Sequence, residues 1–237
     1  HANKDIRDIG NLIVHSLGYL FSQESASMIP PVVLSPEEND VVLDVAAAPG
    51  SKTTQIGQYM KNTGIILAND ITGDRLASLG INVQRMGLKN IAIMKSQGQF
   101  IKGKFDKILL DAPCSGTGTI MKSARSANDW NPGLIERLSG LQKKLIAVAF
   151  NNLKSNGVLV YSTCTMEPQE DEGVVSWLLE KFPNAKLEEI KLNIERSECF
   201  TSFEGETYNP EVKKCLRIWP QDNNSEGFFV TKIKNVQ

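Results

Sequence analysis

Two loops put thiols where covalent chemistry is feasible. The segment DAPCSGTG at 111–118 carries Cys114, and STCT at 162–165 carries Cys164. Each follows a short apolar run of strand character, at 106–110 and 157–162. If those runs are neighbouring strands of one parallel sheet, both loops open at the same edge and both thiols can face one pocket. A cysteine so placed is activated as a nucleophile when a cation or a helix N-terminus stabilises its thiolate. Lys52 is such a cation if its own loop converges on that edge. The competing reading makes each cysteine a small buried hydrophobe, the commoner fate of an intracellular thiol. A disulfide between the loops is a third reading, disfavoured in a reducing compartment.

A third loop, DVAAAPGSKT at 44–53, joins an apolar run to an amphipathic stretch. Small residues there let backbone approach a ligand closely, and a helix N-terminus favours negative charge. A P-loop is excluded, because Ser51 separates Gly50 from Lys52 and the upstream glycine is missing. The G-x-G-x-x-G dinucleotide fingerprint is missing too. Asp70 closes the next apolar run, where a doubly wound fold uses an acid to hold ribose hydroxyls. Without a series of phosphate-cradling glycines, S-adenosyl-L-methionine fits these features: an adenosine for the acid and a charged amino-acid tail for the loop. A tight turn without a ligand is the bland alternative.

The elements that must position these loops alternate. Strands are expected at 41–45, 64–70, 90–94, 106–110 and 157–162, and near each other at 217–219 and 227–233. Helices are expected at 51–60 with Ser51 as N-cap, at 75–86, over the apolar stripe 134–148, and from Pro168 onward with Val174, Val175 and Leu178 on its inner face. Such alternation predicts an α/β fold, a mostly parallel seven-stranded sheet with helices on both faces. Residues 1–36 read as a lead segment that packs on a catalytic domain at 37–237. The chain opens on His1 rather than Met, which leaves room for an upstream RNA-binding region of which that segment would be the remnant.

Composition narrows the classes further. With 237 residues, 41% of them hydrophobic, the chain can bury roughly three-quarters of its unfolded surface without a staple. No apolar run reaches the ~18 residues of a membrane span, and no secretory segment opens the chain. A cytoplasmic monomer is therefore expected. The four cysteines lie far apart with no C-x-x-C or His/Cys cluster, so no metal is expected. A net charge of −1 excludes a broad basic surface but leaves room for a local groove. Lys122, Arg125, Lys143 and Lys144 are candidates to track phosphates and Trp130 to stack on a base, although all five also read as solvated or packing residues.

The same residues carry a resemblance. The sequence resembles the RNA cytosine-C5 methyltransferases, which include the bacterial Sun/Fmu proteins and the eukaryotic nucleolar p120 and NSUN proteins. The likeness runs from about residue 17 to the C-terminus through GYLFSQESASMIPP, LDVAAAPGSKTTQ, DKILLDAPCSGTGT, LVYSTCTMEPQEDEGVV and LRIWPQDNNSEGFFV. Pro-Cys followed by Thr-Cys marks the RNA enzymes, whereas DNA enzymes use the Pro-Cys thiol as nucleophile. The resemblance implies a Rossmann-like, S-adenosylmethionine-dependent methyltransferase fold. It implies that Cys164 attacks C6 of cytosine, that Cys114 assists release, that Asp111 bonds the base near N3 and that Lys52 pairs with Asp111. It implies cofactor contacts from Ala46, Ala47, Ala48, Pro49, Gly50, Ser51, Lys52, Asp70, Arg75, Gln97, Asp111 and Pro113. Three positions depart from the family: Ser51 for a usual Gly, Ala46 for a frequent Cys, and Gln97 for an Asp that contacts the adenine edge.

The implied activity is 5-methylcytosine formation in RNA, in tRNA first and rRNA second, since a compact enzyme suits a small folded substrate. The chemistry supports it independently. C5 of cytosine is a poor nucleophile until a thiolate adds at C6 and makes it enamine-like. The base must leave its stack, so an unpaired or flipped cytosine is expected. A catalytically weak or inactive cofactor- and RNA-binding protein is the alternative, suggested by Gln97. A methyltransferase acting on something other than RNA is a third reading, opposed by Thr-Cys.

Overall fold

In the computed structural model, which describes residues 9–237 apart from the Arg125 side chain, ten strands form one large and one small sheet. The strands are β1 (Val41–Asp44), β2 (Ile65–Asp70), β3 (Ile91–Lys95), β4 (Phe105–Asp111), β5 (Leu153–Thr163), β6 (Ala185–Glu188), β7 (Ser202–Phe203), β8 (Glu206–Thr207), β9 (Leu216–Ile218) and β10 (Phe228–Asn235). The main path runs β3-β2-β1-β4-β5-β10-β6, with β9 as an eighth strand against β10, while β7 and β8 form a separate hairpin. Neighbours from β3 to β5 pair parallel, and β10 runs antiparallel to β5, β6 and β9. The expected mostly parallel sheet is thus present. The C-terminal strands do lie side by side, with Phe228 opposite Ile218. The sequence reading missed β6, a four-residue strand with two charges and too short an alternation to stand out.

The strands are apolar because both sheet faces are covered. Successive side chains alternate between two cores: Leu43, Ile108, Leu110, Leu159 and Tyr161 enter one, while Val42, Leu109 and Val160 enter the other. The helices are α1 (Ile13–Ser16), α2 (Ile29–Leu34), α3 (Ser51–Tyr59), α4 (Gly73–Arg85), α5 (Arg125–Asp129), α6 (Pro132–Asn151), α7 (Glu172–Lys181) and α8 (Pro220–Asn223). The first core is closed by α6 and α7 through Leu145, Ile146, Phe150, Val174, Val175 and Leu178. The second is closed by Val33 and Leu34 of α2 and by Ile56 of α3. Within the lead segment, α2 starts on Pro30 and Pro31 in its first turn, where a missing N–H costs nothing. Residues 1–8 of that segment lie outside the described residues.

Two helix starts differ from expectation. The N-cap of α3 is Gly50, not Ser51: it sits at φ +106°, and a Cβ there would approach Leu79 Cδ1 to 2.7 Å. Glycine alone meets both demands. The helix expected from Pro168 begins at Glu172, because 167–171 form a turn in which Gly173 donates to the Pro168 carbonyl. Among the described residues no helix is long and apolar enough to cross a membrane. The parallel strands β1, β2, β4 and β5 end on Asp44, Asp70, Asp111 and Thr163, which brings the loops of interest to one edge.

Candidate active site

At that edge the two thiols meet. Cys114 Sγ lies 3.4 Å from Cys164 Sγ, and neither is in a disulfide. Adjacent strands explain it, since β4 pairs with β5 and Asp111 stands opposite Ser162. The loops are stitched further along: Gly118 N–H donates to the Cys164 carbonyl at 3.0 Å, and Gly227 N–H donates to the Gly118 carbonyl. A Cβ at Gly118 would come within 2.3 Å of the Gly227 oxygen, so only glycine permits this approach. Glu170 ties both loops to α6, accepting from Ser115 N–H at 3.1 Å, Thr165 Oγ1 at 3.3 Å and Gln142 Nε2 at 2.7 Å. The Cys114 thiol is pushed well above its ordinary range by its hydrogen bond to Cys164, then by burial, then by the charge of Cys164. Cys114 therefore holds its proton tightly.

Beside the thiols lies an ion pair. Lys52 Nζ sits 2.7 Å from Asp111 Oδ2, and Asp111 Oδ1 accepts from Ser162 Oγ at 2.7 Å. Burial pulls the Lys52 pKa down, but the adjacent Asp111 more than offsets that and raises it. The ammonium therefore stays charged, and it is electrostatically coupled to Cys164. Lys52 also donates to Ser27 Oγ at 2.6 Å and lies 5.5 Å from the Phe228 ring centre. Ser27 belongs to the lead segment, in a turn whose N–H groups at Ala26 and Ser27 are held by the Glu24 carboxylate. Sequence reasoning assigned Ser27 no role. Its signal lay in QESASM, which carries the resemblance but shows no spacing of its own.

A cavity of about 360 Å³ opens between the ends of β1, β2 and β4, with both cysteines on its wall. Of the residues expected to hold the cofactor, Ala46, Ala48, Asp70, Arg75, Gln97, Asp111 and Pro113 line it. Ala47, Pro49, Gly50, Ser51 and Lys52 are not among its lining residues. Asp70 is fixed rather than free: it accepts from Ala48 N–H at 3.3 Å and Thr72 N–H at 3.0 Å, and pairs with Arg75 at 3.3 Å. Gln97 Oε1 accepts from Gln99 Nε2 at 2.9 Å, which commits the oxygen. Residues missed by the sequence reading include Asn69, Ile71, Gly98, Gln99, Leu141 and Leu145. The two leucines belong to the helical stripe and read only as core.

The cavity suits a nucleoside with a charged tail. Asn69 donates to the Val45 carbonyl, yet its Oδ1 is buried with no partner, an acceptor ready for a ligand donor. Ile71, Leu141 and Leu145 offer apolar surface to a flat ring. Gly98 leaves room that a Cβ would fill, meeting Leu145 and Val45 at 2.8 and 2.9 Å. These features fit S-adenosylmethionine. Among the described residues no group of three or more His, Cys, Asp or Glu is arranged for a metal.

Under the site lies Asp44, only 1% exposed, with Oδ2 accepting from Thr53 Oγ1 at 2.7 Å and Oδ1 without a partner. Burial pushes its pKa up to about 7, against the Thr53 bond and Lys52, which lower it, and with Asp111, which adds to it. The folded pKa exceeds the ordinary 3.8, so the native state binds the proton more tightly than the unfolded chain. Stability from this group is greatest below about pH 4 and is lost as pH rises to about 7. Asp44→Asn keeps an acceptor for Thr53 and removes the titration. Urea unfolding should therefore find the variant gaining on wild type by up to a few kcal/mol between pH 5 and pH 7.5. A difference independent of pH would mean that Asp44 does not titrate in this range.

The basic candidates for RNA divide. Lys122 lies 3.1 Å from Glu226 and 3.9 Å from Glu24. Lys143 is half-buried and Lys144 exposed on α6. Arg125 opens α5, but its side chain lies outside the described residues. Trp130 is 47% exposed, with Nε1 donating to Glu167 Oε1 at 3.0 Å.

The family described as 16S rRNA methyltransferase RsmB/F matches residues 31–234. A tRNA (cytosine(49)-C(5))-methyltransferase of Pyrococcus abyssi is 49% identical over 228 residues, covering 95% of this chain and 73% of that protein. A ribosomal RNA small subunit methyltransferase F of Psychromonas ingrahamii is 40% identical over 97% of this chain. The chain spans about half that relative's length, 48%. NSun6 from Pyrococcus horikoshii, solved with SFG, superposes with a TM-score of 0.84 at 34% identity, over 97% of this chain and 56% of that one. The family match runs from Pro31, in the helix beneath the sheet, to Lys234, near the end of β10. It takes in β1, β2, β4 and β5, whose ends build the site, and the chain belongs to the family described as 16S rRNA methyltransferase RsmB/F.

Proposed function

We propose that this protein is an S-adenosylmethionine-dependent RNA methyltransferase that makes 5-methylcytosine, with Cys164 as the covalent nucleophile. The observation that carries this reading is the pair of thiols 3.4 Å apart on the wall of a cofactor-sized cavity, flanked by the Lys52–Asp111 ion pair. The Pyrococcus abyssi relative, named for cytosine in tRNA, favours tRNA as substrate. The relatives named for small-subunit rRNA make rRNA the second choice. The chain acts as a cytoplasmic monomer on an unpaired or flipped cytosine.

Each residue then has a task. Cys164 forms a bond to C6, and the electron pair of the C5=C6 double bond shifts toward C5 and the N3 side of the ring. Lys52 is the counter-charge to the attacking thiolate. Asp111, held from both sides by Lys52 and Ser162, faces the N3 and amino edge of the base, where as general acid it shares a proton with N3 and neutralises the negative charge that reaches it as the adduct forms. The bound cofactor supplies an electrophilic methyl group, which C5 takes. The C5 proton then passes to the Cys114 sulfur, a thiolate once its own proton has gone to solvent; the C5–H electron pair restores the double bond and the C6–S bond breaks, releasing Cys164 as a thiolate. Cys114 assists this step. Once the Cys164 sulfur is tied into the C–S bond it no longer bears charge against Cys114, and the neighbouring thiol can exchange its proton.

The inactive reading rests on Gln97, which lines the cavity without closing it. Tritiated S-adenosylmethionine incubated with tRNA and rRNA pools should place label in 5-methylcytidine after digestion. Label in any other nucleoside, or none under conditions where cofactor binds, would overturn the proposal.

A further inference from the structure

Cys114 lines two cavities. One is the cofactor cavity; the other, about 670 Å³, opens on its far side between the Pro-Cys loop, α5 and the start of α6. At about 360 Å³ the cofactor cavity is near the low end of ligand sites, roughly 300–1,000 Å³, and has room for one cofactor-sized molecule. A pyrimidine that reaches the paired sulfurs must therefore carry its ribose and the adjoining strand elsewhere. Next to the thiols, the larger cavity supplies that space.

Its lining is suited to a nucleotide. Arg137, on α6, reaches into it. The other arginines with described side chains are committed: Arg75 to Asp70 and Ala48, Arg85 to His15 and Leu20, Arg196 to Ile190, and Arg217 to Asp171 and Glu172. Arg137 alone among them makes no hydrogen bond or ion pair. A planar guanidinium with no protein partner is the group that recognises phosphate oxygens in pairs. Ser126, on the same wall, places a hydroxyl beside the cavity, its Oγ 3.2 Å from Thr119 Oγ1. Trp130, next to Asp129 in sequence, is 47% exposed and offers a face to an unstacked base.

We propose that this second cavity is an RNA subsite, holding the nucleotide next to the target cytosine with its phosphate on Arg137. The inference rests on the RNA reading above and deepens it. Equilibrium binding of a fluorescein-labelled tRNA pool, followed by anisotropy with S-adenosylhomocysteine present, tests it without turnover. Arg137→Ala should weaken binding about tenfold. It should also flatten the slope of log K against log salt by about one contact, roughly 0.7–0.9, while Arg137→Lys keeps most of that slope. Cofactor affinity by calorimetry should not move. Equal affinity and slope for Arg137→Ala and wild type would overturn the subsite, even if wild type makes 5-methylcytidine. Wild type that binds RNA but makes none would overturn the functional proposal alone, and absence of RNA binding by wild type would overturn both.

Discussion

Cys164→Ala should lose methyl transfer by at least about three orders of magnitude while still binding cofactor and RNA. The physical reason lies in the substrate. Without a sulfur on C6, cytosine C5 stays part of an intact aromatic ring and has no electron pair to offer a methyl donor. Alanine removes the sulfur and little else. The backbone carbonyl of residue 164 still accepts from Gly118 N–H, so the stitch between the loops survives. Cys114, left without the hydrogen bond and charge that raise its pKa, becomes an ordinary buried thiol. Cofactor affinity within about threefold of wild type, with label transfer lost, is the expected pattern. Label transfer near wild-type level would remove Cys164 from the nucleophile's role.

Arg217→Ala should cost about 3–5 kcal/mol, a large share of the ~5–15 kcal/mol that holds a domain of this kind folded. The Arg217 guanidinium is fully buried. It pairs with Asp171 Oδ2 at 2.9 Å and Glu172 Oε2 at 2.6 Å, and donates to the Met166 carbonyl at 3.1 Å. The rings of Phe200 and Phe229 lie 5.1 and 5.6 Å from it. Removing it leaves two carboxylates in a dry interior with no cation to balance them, the costly half of a broken buried pair. Lysine cannot restore the fork that bonds both acids and the carbonyl. The loss reaches the site as well, because Asp171 accepts from Thr163, the residue before Cys164. Urea unfolding should show a lower midpoint with an unchanged slope for both Arg217→Ala and Arg217→Lys. Full stability in the lysine variant would mean that a point charge, not the fork, is what the network needs.

The parts of this molecule legible from sequence are those in which one local pattern has one cause. Runs such as VVL at 41–43 and ILL at 108–110 are apolar without alternation because helices cover both faces, which announces a parallel sheet and puts the loop chemistry at one edge. Asp111 and the two cysteines follow directly, since each closes or follows a strand. Residues that serve the site from elsewhere carry no such pattern. Ser27 reaches Lys52 from 25 positions upstream, and Arg217 reaches Glu172 across 45. Leu141 and Leu145 are four apart on α6, so a cavity wall and a core stripe look alike. The Gly50 cap needed knowledge of Leu79 on another helix, and the late start of α7 reflects a turn closed by Gly173 N–H on the Pro168 carbonyl.

The central claim, that Cys164 bonds to C6 of cytosine and Cys114 releases it, is tested most directly by trapping the bond. Cys114→Ala incubated with S-adenosylmethionine and tRNA should accumulate a protein–RNA species that survives denaturing electrophoresis. Peptide mass spectrometry should map the linked, methylated cytosine to Cys164, and Cys114→Ala/Cys164→Ala should give no such species. A stable adduct mapped to another residue, or full turnover by Cys114→Ala with no adduct, would contradict the account.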